Sequence, residues 1–238
     1  MSGATQTRRE RQQGTTRGEI KDTARRQMAR EGAAALSLRA IAAEMGLTAP
    51  ALYRYYPGRD ELITALIVDA FHALGDALEE ARRIPPPTAY ADQFVAMMTA
   101  YRAWALDHPA DFTLIYGTPL PHYHAPEVVT DPAVRRSLAP LLALLIAAWQ
   151  AGAIHPEAAY EAAPPTLRER FGAMLPGGAG GEAAMAALHA GFVVWTHLQG
   201  LIMLELFGHI APVVGDPAPF YDFEVQMQLR RLGLPSAS

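Results

Sequence analysis

Tyr53-Arg54-Tyr55-Tyr56 is followed by Pro57-Gly58 and then Arg59. Tyrosine hydroxyls donate to phosphate oxygens while their rings lie along a sugar wall. Arginine clamps a phosphate or bridges O6 and N7 of guanine. Just upstream, Thr48, Ala49, Pro50 and Ala51 offer a hydroxyl and small apolar groups. Arg39, nine residues before Thr48, lies within reach of the same surface. These residue types suit the grooves of duplex nucleic acid.

Charge along the chain agrees. The net charge is −4, yet the first sixty residues carry eleven basic and six acidic side chains, a balance of +5 against −9 for the remainder. A basic head on an acidic body implies a polyanionic partner for the head alone. Arg8, Arg9 and Arg11 form a further basic cluster, read as a solvated arm, with entry into a minor groove as the alternative.

Other chemistries are less well served. There are no cysteines, which removes thiolate ligands, thiol nucleophiles and disulfides and suits a reducing cytoplasm. No nucleophile elbow, phosphate loop or paired-carboxylate pattern occurs, so an enzyme is not expected; a helical small-molecule enzyme is the minor alternative. His122, His124 and Glu127 in PHYHAPE are too loosely spaced for a dedicated metal site, and the loop reads as a flap over a pocket. No cofactor is expected.

These residues need elements to position them. The apolar spacing is helical almost throughout. Ile20, Ala24 and Met28 mark a first helix over residues 16–30, which Gly32 ends. Ser37 caps a second helix with Leu38, Ile41, Ala42 and Met45 on its inner face, and Gly46 stops it. Thr48 caps a third helix, with Pro50 in its first turn, where a missing N–H costs little. That helix is too short to stand alone; Leu52 and Tyr56, four apart, hold it on the other two. Asp60 is expected to cap a long fourth helix to about Arg82. Further helices are expected at about 88–106, 109–116, 131–151, 165–174, 182–209 and 219–232. The glycine-rich stretch 176–181 reads as a linker.

The second helix, the Gly46-Leu47-Thr48 turn and the third helix make a helix-turn-helix, whose second member lies in a major groove. From about Arg17 to Leu66, in SLRAIAAEMGLTAPALYRYYPGRDEL, the chain resembles the TetR family of transcriptional regulators. The resemblance implies contact with double-stranded operator DNA by Arg39, Ala49, Pro50, Ala51, Tyr53, Arg54, Tyr55 and Arg59, with Thr48 at the helix start. Tyr55, Tyr56 and Arg59 stand where histidine, phenylalanine and lysine are commoner in the family. Ala49 and Ala51 offer only methyl contacts, which leaves much of the base readout to Arg39 and Arg54. A narrower likeness, carried by Trp195 and Gly200, is to the C-terminal domain with a Trp-His-Gly signature; Gln199 stands at its histidine position.

The expected architecture is all-α. A basic arm at 1–15 precedes a three-helix DNA-binding domain at 16–60. A larger helical domain at 61–235 follows, for effector binding and dimerisation. Effector candidates are Met97, Tyr101, Trp104, Phe112, Tyr116, Trp149, Phe192, Trp195 and Thr196, whose apolar walls suit a hydrophobic or aromatic ligand; core packing is the alternative role for about half of them. The helices at 182–209 and 219–232 are expected to pair with a second copy, Ala187, Ala190 and Gly191 permitting close approach. The expected function is that of a ligand-released dimeric repressor on a palindromic operator, with a constitutive DNA-binding protein as the alternative. Residues 137–154 and 183–204 are uncharged, but Pro140, Gln150, His189, His197 and Gln199 argue for buried helices and no membrane.

Overall fold

The computed structural model describes residues 8–155, 164–172 and 182–234. Their regular structure is entirely helical: α1 (Arg8–Glu31), a 3₁₀ turn (Ala33–Ala35), α2 (Leu38–Glu44), α3 (Ala49–Tyr53), α4 (Arg59–Arg83), α5 (Tyr90–Asp107), α6 (Pro109–Tyr116), α7 (Glu127–Gln150), α8 (Pro165–Gly172), α9 (Glu182–Leu206), α10 (Ala211–Val214) and α11 (Pro217–Leu232). The chain divides into two compact units.

The first unit holds the described residues up to Phe71 together with His108–Val134. Ile20, Ala24 and Met28 of α1, Ile41 of α2, Leu52 of α3 and Leu62, Ile63 and Leu66 of α4 form its core. Local chemistry sets the turns. Ser37 accepts from the Ala40 N–H and Thr48 from the Ala51 N–H, each at 3.4 Å. Gly46 takes φ +67, a left-handed conformation that suits glycine. Tyr116 of α6 meets Phe71 edge to face, with ring centres 5.9 Å apart.

The second unit holds His72–Asp107 and the described residues from Arg135 onward. Phe94, Met97, Met98, Tyr101 and Trp104 bury one face of α5. Tyr221 of α11 donates to the Met98 carbonyl at 2.9 Å. Arg102 forms an ion pair with Glu205 of α9 and lies 5.6 Å from the centre of the Tyr221 ring. A Cβ placed on Gly191 of α9 would meet a methyl of Leu145 of α7 at 2.2 Å.

The structure revises several expectations. α1 starts at Arg8, so residues 8–15 are helical rather than a loose arm. The segment His108–Val134 belongs with the reading helices, so the first compact unit is not confined to residues 16–60. α4 begins at Arg59, which leaves Asp60 inside its first turn. α7 begins at Glu127 and runs through Pro132 and Pro140. The small residues Ala187, Ala190 and Gly191 are buried within the chain, and Gly191 faces α7 rather than a second copy. The 176–181 linker lies outside the described residues.

Candidate nucleic-acid interface

α3 presents two faces. Leu52 is fully buried and Tyr56, just beyond the helix, is 5 % exposed, as their spacing predicts. Tyr53 is 41 % exposed, Thr48, Pro50 and Arg54 are exposed, and Ala49, Ala51 and Tyr55 are half-buried. Arg54 is the C-cap of α3 and so lies at the opposite end from Thr48. Arg39 is exposed in the first turn of α2.

The cations of this unit fall into two groups. One group holds the fold. Lys21 pairs with Asp69. Arg26 and Arg30 reach the two oxygens of Glu44 at 3.1 and 3.0 Å, joining α1 to α2. Arg25 donates through Nε to both Asp111 oxygens at 3.1 and 3.0 Å, which ties α6 to α1. Burial opposes the Arg25 charge, but Asp111, Asp69 and Asp22 outweigh it and hold the guanidinium above its ordinary range. Burial also pushes the Asp111 carboxyl up, against the pull of Arg25. With a guanidinium Nε within 3.1 Å of both of its oxygens, the Asp111 carboxylate has its charge partner beside it. Arg59 was expected at a phosphate, yet its Nη2 donates to the carbonyls of Ala34 at 3.1 Å and Ala33 at 3.4 Å, steadying the 3₁₀ turn.

The other group makes no ion pair among the described residues: Arg8, Arg11, Arg39 and Arg54, with Arg17 lying 5.4 Å from the centre of the Tyr56 ring. Of these, Arg8 and Arg54 border one recess with Tyr55 at the end of α3, and unpaired cations in such a place are what a polyanion requires.

The effector candidates are dispersed. Phe112 and Tyr116 belong to the first unit, and the other seven to the second. Met97, Tyr101 and Trp104 are buried, and Tyr101 donates to Gln199. Trp149 is half-buried in an apolar cluster with Leu142, Ile146, Leu167, Met185 and Leu188. Phe192 and Thr196 are exposed and Trp195 half-exposed on α9, so these three lie at the surface of the unit. Among the described residues no three histidine or acidic side chains converge as a metal site. His124 and Tyr123 instead border a cleft of about 670 Å³ in the first unit, where the Tyr123 hydroxyl bonds Thr64 at 2.9 Å.

Two family models match the chain: bacterial regulatory proteins of the tetR family over residues 20–66, and a tetracyclin repressor-like C-terminal domain over residues 94–228. The chain belongs to the TetR family. HTH-type transcriptional regulator Rv1816 of Mycobacterium tuberculosis is 34% identical over 211 residues, covering 87% of this chain and 88% of that protein. The solved regulatory protein SCO4313 superposes with a TM-score of 0.75 at 35% identity, covering 94% of this chain and 100% of that one. A tetR-family regulatory protein from Rhodococcus RHA1 shares the fold with a TM-score of 0.63 at 20% identity, over 92% of this chain and 97% of that one. This TetR-family chain is therefore a transcription regulator with a DNA-binding domain, not an enzyme. Among the described residues two helices, over Glu127–Gln150 and Met185–Leu206, are long and apolar enough to cross a membrane, with 39% of an 18-residue apolar window in each buried within the chain.

Sequence reasoning missed two features of the interface. Asp111 was not singled out as the anchor of α6. Arg8, Gln12 and Gln13 were not placed beside Arg54 and Tyr55, with which they line a common recess. The helix-favouring run from Arg8 to Gln13 was the available signal.

Proposed function

We propose that this TetR-family regulator is a homodimeric repressor that binds a palindromic operator and is released by a small hydrophobic or aromatic effector in the cytoplasm. The observation that supports the DNA part is the sorting of cations, in which Arg8, Arg11, Arg39 and Arg54 make no ion pair among the described residues while Lys21, Arg25, Arg26 and Arg30 do. Thr48, Ala49, Pro50, Ala51 and Tyr53 enter the major groove, Arg39 reads its edge, and Tyr55 holds the strand.

A palindrome requires two heads about one helical turn, ~34 Å, apart. Exposed apolar side chains on α9, just beyond its end and on α11 support pairing with a second copy: Phe192 is 51 %, Phe207 48 % and Phe223 58 % exposed. His197 joins the two helices by a 2.8 Å contact with Glu224. The half-open cluster around Trp149 supports an apolar effector, since of its six residues only Leu188 is buried. α4 contributes residues to both units, so it is the proposed transmitter. An effector that prefers one conformation of the second unit weakens operator binding by its differential affinity, typically ~1–3 kcal/mol.

The constitutive reading has one observation in its favour: Met97, Tyr101 and Trp104 are packed as core. Selection of bound duplexes from a random pool tests the proposal. A palindrome is expected, and a single asymmetric half-site would overturn dimeric reading. Arg54→Ala is expected to abolish operator binding while gel filtration still shows a dimer; an unchanged shift by that dimer would remove Arg54 from the interface. Melting with a panel of aromatic ligands then separates the effector reading from the constitutive one.

A further inference from the structure

The described side chains in the first two turns of α1 are solvated. Arg8, Arg11, Gln12, Gln13, Gly14 and Thr15 are all exposed, and among the described side chains of the helix the first buried is Ile20. Such an end, carrying a glycine, has little intrinsic stability. Yet it is not free of the interface. Arg8, Gln12 and Gln13 line a recess of about 450 Å³ with Arg54 and Tyr55.

The lining is chemically one-sided. Among the described residues, all five lining side chains donate hydrogen bonds and none is a carboxylate. Two guanidinium groups, from opposite ends of the first sixty residues, border the same small space. Neither Arg8 nor Arg54 makes an ion pair among the described residues, in contrast to Arg25, Arg26 and Arg30. Like charges brought together in this way select for an anion. Tyr55 adds a ring and a hydroxyl of the kind that lies along a sugar-phosphate wall.

We infer that this recess seats the phosphodiester backbone of duplex DNA at the outer edge of a half-site, held by Arg8 and Gln12 from α1 and by Arg54 and Tyr55 from the end of α3. The inference rests on groove binding by α3, not on release by an effector. The α1 extension then widens the footprint beyond the helix-turn-helix. Because it grips phosphate, it adds affinity without changing which sequence is preferred.

The test uses the full-length protein, the selected duplex and a scrambled duplex, with binding measured from about 50 to 200 mM salt. Arg8→Ala is expected to weaken binding to both duplexes about tenfold at the low-salt end and to lower the slope of log K against log salt by about 1. Gln12→Ala, which removes no charge, is expected to weaken binding about threefold with the slope unchanged. Gly14→Ala has open space for its Cβ and is expected to tighten binding by strengthening the extension, about twofold to fivefold. Unchanged affinity and slope in an Arg8→Ala/Gln12→Ala double variant overturns the recess, provided Arg54→Ala loses binding. A changed sequence preference in Arg8→Ala also overturns it, because the arginine would then be reading bases. If Arg54→Ala also binds normally, groove binding by this end of α3 falls and takes the recess with it.

Discussion

Glu44 illustrates how a single side chain sets both a joint and its pH response. Hydrogen bonds from Arg30 and Arg26 hold its carboxyl below the ordinary value near 4.5. A carboxyl depressed in the folded state stabilises the fold fully above its unfolded value and ceases to as pH falls through the folded one. Melting of the protein should therefore be insensitive to this joint at neutral pH and decline below about pH 4.5, with a shallower decline in Glu44→Gln. A decline of equal steepness in that variant would remove Glu44 from the acid response. Asp111 is the buried counterpart. Its side chain is 8 % exposed and meets Arg25, which is 29 % exposed. Removing one partner of such a pair leaves the other poorly solvated, so Asp111→Asn should cost about 2–3 kcal/mol, discounted for the exposure of Arg25. The measurement is chemical denaturation; a loss under about 0.5 kcal/mol would show that the pair contributes no more than a surface bridge. Neither contact is announced by residue type. Glu44 and Asp111 look like any other acid in the sequence, and Asp111 finds its partner 86 residues away.

At the scale of elements, the parts written in local chemistry were legible. Ser37 and Thr48 cap where hydroxyls at helix starts should, and Gly46 ends α2 in the left-handed conformation expected of a glycine there. Gly46→Ala places a Cβ at φ +67 and should cost about 1–2 kcal/mol while loosening the angle between α2 and α3; Gly46→Asn should cost less. Operator affinity should fall in the same order, as read by gel shift. Equal affinity in all three proteins would mean that α3 is held by Leu52 and Tyr56 alone. What the sequence concealed were features decided by packing at long range. The PHYHAPE loop, 121–127, reads as a flap, and nothing in its composition says that Tyr123 and the neighbouring Leu120 pack against the core of the first unit. The extension of α1 was hidden differently: charge clusters are usually solvated tails, and helicity at 8–15 leaves no apolar period to detect.

At the scale of the molecule, the exposed aromatics just after α9 and on α11 make the sharpest claim. A monomer gains nothing from leaving Phe207 and Phe223 about half exposed, and withdrawing the exposed half of each from water contributes about 1 kcal/mol. A symmetric interface counts each residue twice, so a charge introduced once is met twice. Phe207→Glu with Phe223→Glu should therefore yield a monomer by analytical ultracentrifugation. Helical content should be retained, because neither side chain is part of the buried core. Operator binding should fall more than a hundredfold if both heads must engage together, since joining two sites raises the apparent affinity by about 10²–10⁴. Binding to an isolated half-site should change little, because α2, α3 and the unpaired arginines lie in the other unit. A double variant that remains dimeric would place the interface elsewhere, and a monomer that keeps full operator affinity would show that one head suffices.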